Sequence, residues 1–348
     1  MSLVNKIVSQ SIDNAYYASR DNKSCKVFIE KEEFDGKHYS IDAFFDQYKK
    51  YFDRPEEFYL DFAYEGAPNL REGFHFNARD KTHALKYHYQ PMLFDSPIKT
   101  KWQETNLVPF RWFKNETKKS NTILLFSPGW ARPNLEMEKG FCKRLIDSGI
   151  DAGLLTKPYH QERTPAGSYS GEYFISGNVF WTIENFRHYV AEIRLLIQYM
   201  RQHYEYIGIV GMSSGGLQAS LAITVEKVDF YFPFVTGAEL GSIVWKSKIC
   251  KQIVHDLKKR GIDEAMTNKI WAIGDQLYLG QHIKTTYLKQ YISLYDKVIP
   301  TKHQFLLWNK YNRPEKLELE CAHVSVILHM EKVANDIISF VKEKIGKG

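Results

Sequence analysis

From about residue 96 onward, short apolar runs alternate with amphipathic stretches of helical spacing. Asn121–Phe126 (NTILLF), Ile150–Thr156, Tyr206–Val210, Val228–Phe234 and Tyr291–Leu294 are short and nearly all apolar, the pattern of strands buried on both faces. Lys316–Cys321 reads as a further strand, and Ser96–Phe113 as a pair of strands turning near Asn106. Helical spacing marks Glu136–Ser148, with Gly149 as its stop, and then Ser214–Val225, Gln304–Tyr311 and Val326–Ile345. The longest helix is Asn178–Tyr204, which puts Phe180, Ile183, Phe186, Tyr189, Ile193, Leu196 and Met200 on one face. Strands separated by helices predict an α/β fold with a mostly parallel sheet covered on both sides.

Two segments depart from this alternation. Residues 1–95 are polar and rich in Asp, Lys, Tyr and Phe, and read as an N-terminal helical lobe packed on the core. Within it Ile41–Phe52 places Ile41, Phe44, Phe45, Tyr48 and Phe52 on one helical face, and Pro55 stops the helix. Residues 96–348 form the main domain, interrupted at about 237–289 by a helical insertion without an obvious strand. That insertion falls where a cap would cover a pocket at the strand ends.

Composition narrows the class. Of 348 residues, 44% are apolar and 25% charged, ordinary for a globular chain long enough for one large core and an extra lobe. The net charge of +6 is spread out. Its densest cluster, Lys258-Lys259-Arg260, closes a helix, where cations complement the dipole. With no basic stripe and no reader motif, nucleic acid is not an expected partner. Cys25, Cys142, Cys250 and Cys321 are far apart and form no C-x-x-C pair, so neither a zinc site nor a dithiol is expected. Met1–Tyr17 lacks the apolar core of a leader peptide, and no run of about 18 apolar residues marks a transmembrane helix. The expected compartment is the cytoplasm.

The chemistry concentrates at Gly211-Met212-Ser213-Ser214-Gly215-Gly216, which follows the apolar strand Ile207–Val210 and opens a helix. Strand, G-x-S-x-G and helix in that order make a nucleophile elbow. A sharp turn lifts the serine hydroxyl above the sheet, and residues two places either side must be small to clear the neighbouring strand and helix. A phosphate-binding turn is the competing reading, but the Gly-Lys-Ser/Thr of such a loop is absent.

An acid and then a base should follow the serine along the chain. Asp296 stands just past the strand Tyr291–Leu294, in Asp296-Lys297-Val298-Ile299-Pro300. Glu239, after the preceding strand, is the alternative acid. His323 lies between the end of strand Lys316–Cys321 and the last helix. His323 would take the proton of Ser213 and return it to the leaving group, while Asp296 would hold the imidazole tautomer. A developing oxyanion needs backbone N–H donors. Ser214, directly after the nucleophile, offers one. In Ser127-Pro128-Gly129-Trp130 the proline has no N–H, which leaves Trp130 as the second. The long polar loop Lys157–Glu172 leaves the same sheet end, and Tyr159, His160 and Arg163 within it are possible substrate contacts.

From residue 96 to the C-terminus, the elbow at Ser213, the Asp-x-Val-Ile-Pro segment at Asp296 and the histidine at His323 resemble the α/β-hydrolase superfamily. Pro158-Tyr159 together with the elbow looks like its alpha/beta hydrolase domain-containing eighteen-like branch. The chain departs from common members in lacking His-Gly after the Phe126 strand and in carrying Ser214 where a bulkier residue is usual. The resemblance implies a serine hydrolase that needs no metal or organic cofactor and takes a small-molecule ester or related acyl substrate. A peptidase, amidase or acyl transferase with the same three residues is the alternative, and a non-catalytic binding protein on this fold is a third reading. The sequence leaves the oligomeric state open.

Overall fold

The structure, a computed structural model, describes residues 3–20, 46, 49–60, 69–73, 86–115 and 119–346. Helix α1 (Leu3–Arg20) and the short α2 (Pro55–Leu60) precede the first strands, β1 (Arg71–Glu72) and β2 (Gln90–Asp95). Then come β3 (Leu107–Phe113), β4 (Thr122–Ser127), α3 (Glu136–Asp147), β5 (Asp151–Leu155), α4 (Val179–Arg201), β6 (Tyr206–Met212), α5 (Ser214–Ala222) and β7 (Val228–Phe234). Four helices follow: α6 (Leu240–Lys246), α7 (Lys251–Lys259), α8 (Glu264–Ile270) and α9 (Gln276–Leu279). The chain closes with β8 (Thr285–Ser293), α10 (Thr301–Lys310), β9 (Glu315–Leu319) and α11 (Met330–Ile345).

Among the described residues the strands form one 9-stranded sheet of order β1-β2-β3-β5-β4-β6-β7-β8-β9. From β5 to β9 all pairings are parallel, and the β1–β2, β2–β3 and β3–β5 pairings are antiparallel. The apolar runs exist because each strand feeds two cores. Along β4, Ile123 and Leu125 face the layer built with α4 and α5, where Phe186, Tyr189, Leu196 and Leu217 pack. Leu124 and Phe126 face the opposite layer, filled by Phe141 and Leu145 of α3 and by Val333 and Ile337 of α11.

Some boundaries differ from expectation. The first strand of the antiparallel pair is Gln90–Asp95, inside the segment expected to be helical; only Met92 and Phe94 turn inward, too short an alternation to stand out. Ser96–Asn106 is the connection, closed by the Ser96 N–H on the Asn106 carbonyl at 2.9 Å and by the Thr100 N–H on Asn106 Oδ1 at 2.7 Å. Strand β8 begins at Thr285, so the helical insertion ends earlier than 289; its first half is polar and part-exposed, and only its inner end reads as apolar. Pro55 stands at the first position of α2, where its missing N–H costs nothing. The helix expected over 41–52 lies mostly outside the described residues. Among the described residues no helix is long and apolar enough to cross a membrane.

Candidate active site

Ser213 sits between the end of β6 and the start of α5 with φ +54° and ψ −126°, a conformation that L-residues hold only under constraint. The constraint is visible: its N–H donates to the Phe234 carbonyl at 2.8 Å. A Cβ on Gly211 would lie 2.5 Å from Gly216 Cα, and one on Gly215 would lie 2.1 Å from the Ser127 carbonyl oxygen. The two glycines are therefore fixed by backbone packing, as the elbow requires.

Ser213 Oγ lies 3.0 Å from His323 Nε2, and His323 Nδ1 lies 2.7 Å from Asp296 Oδ2. The carboxylate faces Nδ1, so that nitrogen carries the proton and Nε2 is left as an acceptor toward the serine hydroxyl. The Asp296 carboxylate is completely buried and every lone pair is engaged. Its Oδ1 accepts from the N–H groups of Val298 at 2.8 Å and Ile299 at 2.9 Å, and Oδ2 also accepts from Gln304 Nε2 at 3.0 Å. The apolar pair after Asp296 thus supplies the donors that orient it. Burial pushes the His323 pKa down, but the carboxylates of Asp296 and Asp13 outweigh it, and the net shift is upward from the ordinary histidine value.

Glu239, the alternative acid, is directed elsewhere. Its Oε2 lies 3.2 Å from Nδ1 of His303, not His323. Its N–H is bound at 3.0 Å by Asp275, which also takes the N–H of Leu240 and so anchors the start of α6.

The loop after β4 runs directly beside the serine: a Cβ on Gly129 would come within 3.5 Å of Ser213 Cβ. Its shape is held by the loop after β5. Trp130 Nε1 donates to the Gly171 carbonyl at 2.7 Å. The Ala131 N–H donates to His160 Nε2 at 2.9 Å, while His160 Nδ1 faces the Pro158 carbonyl at 2.7 Å. The Arg132 carbonyl accepts from Gln161 Nε2 and Ser170 Oγ, both at 2.6 Å.

This corrects the expectation for Tyr159, His160 and Arg163 as substrate contacts, because none of them lines the cleft. His160 is a buried brace for the Trp130 loop. Tyr159 is buried among Trp102, Tyr173 and Trp181. Arg163 is fully buried, donating to the Thr156 carbonyl at 2.9 Å and to Glu192. The polar residues that made this loop look like a binding surface are spent on the Trp130 loop and on Glu192 of α4.

Ser214 opens α5, so its N–H has no acceptor within the helix. Its hydroxyl takes a hydrogen bond from Lys157 Nζ at 2.8 Å, and Lys157 also donates to Gln218 Oε1 at 2.8 Å. Lys157 is fully buried over the rings of Phe174 and Tyr189, and burial pushes its amine well below the usual lysine range.

Ser213 and His323 open into a cleft of about 1000 Å³, counting its mouth. Leu240, Ile243 and Val244 of α6 form one wall, with Ile175, Leu217 and Ile299 around it. The insertion therefore does border the cleft. Arg132 and His323 are the ionisable side chains of Arg, Lys, His, Asp or Glu type that line it, and Tyr16 of α1 reaches it too. Asp13, Tyr16, Arg132 and Gln304 carry no recognisable sequence signal: Asp13 meets a turn 310 residues away, while Arg132 and Gln304 pair with residues six and eight positions off in no motif. Among the described residues no three His, Cys, Asp or Glu side chains gather as metal ligands would.

No family model matches this chain. Over 102 residues, 29% of its length, it is 26% identical to the uncharacterized protein YdjC of Bacillus subtilis strain 168, of which the match covers 88%. The acetyl xylan esterase from Paenibacillus sp. R4 superimposes with a TM-score of 0.61 at 12% identity, over 86% of this chain and 99% of that one. Acetyl xylan esterase 1 from Thermoanaerobacterium sp. JW/SL YS485 gives 0.57 at 14% identity, over 79% and 88% of the two chains. The acylaminoacyl peptidase of Pyrococcus horikoshii gives 0.53 at 16% identity, over 73% of this chain but only 41% of the peptidase. Identities this low carry the fold and not the activity. None of these likenesses reaches down to the eighteen-like branch. The strand order, the helices on both faces and these neighbours together make the architecture that of the α/β-hydrolases.

Proposed function

We propose that the protein is a serine hydrolase that cleaves a carboxylic ester through an acyl-Ser213 intermediate. The observation that carries this reading is the unbroken chain from Ser213 Oγ through His323 to the buried Asp296, with links of 3.0 and 2.7 Å. His323 Nε2 takes the hydroxyl proton as Oγ attacks the acyl carbon. The resulting imidazolium is stabilised by Asp296, and its proton passes to the departing alcohol oxygen. Water then attacks the acyl-serine with His323 again as base, releasing the acid and restoring the hydroxyl. The backbone N–H groups of Ser214 and Trp130 receive the oxyanion, each contributing roughly 2.7–4 kcal/mol.

The apolar walls of α6 and Leu217 favour an apolar acyl or alcohol group. Amides and acyl acceptors other than water are open to the same three residues. Membership of the eighteen-like branch belongs with this reading and rests on Pro158-Tyr159 beside the elbow. A cytoplasmic location belongs with this reading and rests on the wide spacing of the four cysteines along the sequence.

The test is a series of 4-nitrophenyl esters of rising chain length beside matched 4-nitroanilides, with Ser213→Ala as the control. Ester turnover by the wild type that drops by at least about 10⁴-fold in Ser213→Ala is expected. Wild-type turnover no greater than that of Ser213→Ala on every substrate would refute the reading.

A further inference from the structure

The N-terminal helix reaches the histidine loop across more than 300 residues of chain. Asp13 of α1 is buried, and its carboxylate accepts four hydrogen bonds. Oδ2 takes the N–H of His323 itself at 2.9 Å, and Oδ1 takes those of Val324 and Ser325, both at 3.1 Å. Tyr17, one turn further along α1, donates its hydroxyl to Oδ2 at 2.7 Å. Three successive backbone N–H groups converging on one carboxylate fix the path of the chain through the turn. The first of the three belongs to the histidine.

The same helix supports the acid. Tyr17 packs with Val298, Ile299 and Ile243 in a small apolar cluster. Val298 and Ile299 are the residues whose N–H groups orient Asp296. A third tie, from Asn5 Nδ2 to Glu320 Oε2 at 2.9 Å, fastens α1 to the chain just before the histidine turn. One helix thus bears on both turns that must stay in register for Nδ1 and Oδ2 to meet. The β9–α11 connection holds its shape through a carboxylate supplied from elsewhere.

We propose that Asp13 is the positioning residue for His323, so that α1 belongs to the catalytic apparatus. The inference rests on the serine-hydrolase reading for its kinetic consequence, but not for its structural one. Asp13 sets the imidazole's place through three N–H groups and adds a second negative charge near the ring. The charged groups acting on that ring are Asp296 from the β8–α10 turn, Asp13 from α1 and Arg132 from the loop after β4; the two carboxylates raise its pKa and the guanidinium lowers it. Loss of Asp13's charge therefore moves the imidazole's titration to lower pH, while loss of its acceptors loosens the turn.

The experiment uses the full chain with Asp13→Asn and Asp13→Ala. Titration of the His323 ring is followed by NMR, and kcat and KM are measured across pH on the best 4-nitrophenyl ester. Asp13→Asn, nearly isosteric, is expected to lower the His323 pKa and carry the acid limb of kcat/KM to lower pH with it. Asp13→Ala is expected to lower kcat by roughly 10- to 100-fold, the scale of a misplaced catalytic group, with KM within about twofold. If the alanine variant does not fold, the asparagine variant decides alone. An unchanged His323 titration and an unchanged kcat in a folded variant would overturn the proposal. An anchor that only holds the fold together would lower the melting temperature and move neither quantity. The ring titration needs no turnover, so a wild type that cleaves nothing would defeat the hydrolase reading and leave this inference to be judged on the NMR result.

Discussion

Ser213 and His323, the proposed nucleophile and base, are held in opposite ways. Ser213 is held in the turn it sits in, with β6 before it, α5 after it, and two glycines whose replacement would drive a Cβ into Gly216 or into Ser127 of the adjoining β4. His323 is positioned by parts from the whole chain. Asp296 comes from 27 residues upstream, and Asp13 from 310 residues upstream. A strained turn encoded in six consecutive residues is legible in a sequence. A loop held by a remote carboxylate is not, because its cause lies outside the local pattern.

The largest expected effects separate the chemistry from its supports. His323→Ala should lower kcat on the order of 10⁶-fold, as loss of the base does when the residues act as a unit. A loss under a hundredfold would mean that the assembled half of the site is dispensable. Asp296→Asn should retain the fold and lower kcat about 10⁴-fold, since the amide no longer selects the Nδ1–H tautomer. Glu239→Gln, facing His303, should leave kcat within about twofold. The reverse result would exchange the two acids.

The local half has its own test. Gly215→Ala places a methyl 2.1 Å from a backbone oxygen, so β4 or α5 must shift. It should cost about 3 kcal/mol of stability in denaturant titration and lower kcat through a displaced Ser213. Full stability and activity would show that the elbow is looser than its geometry implies.

The raised His323 pKa places the acid limb of kcat/KM above the ordinary histidine value, because the ring must be neutral to act as base. Asp296→Asn should move that limb to lower pH. The smallest effect belongs to Lys157, whose amine burial holds well below the usual lysine range. A lysine depressed in the folded state lends its stability above the unfolded pKa and loses it as pH falls toward the folded one. The wild-type melting temperature should therefore contain a rise between neutral pH and about pH 10 that Lys157→Met lacks. Equal slopes in the two proteins would mean the buried amine keeps its charge.

The same contrast explains what could be read from the chain. Strands β4, β6 and β7 were legible because burial on both faces leaves an uninterrupted apolar run. The serine, the acid and the histidine stood out through strand ends and chain order. The first half of β8 was hidden by its polar, part-exposed residues, and β2 by having only two inward-facing residues. The loop around Tyr159, His160 and Arg163 misled in the other direction. Its polar side chains are spent on bracing the Trp130 loop and on a buried ion pair with Glu192. Pattern reports that a residue is polar; only the fold reports whether its partner is substrate or backbone.

The most direct measurement is the intact mass of the protein after exposure to a fluorophosphonate, with the modified peptide sequenced. A single adduct on Ser213 is predicted, lost in Ser213→Ala and slowed by orders of magnitude in His323→Ala. A folded wild type that gains no adduct, or carries it on another residue, would contradict the relay from Ser213 to Asp296.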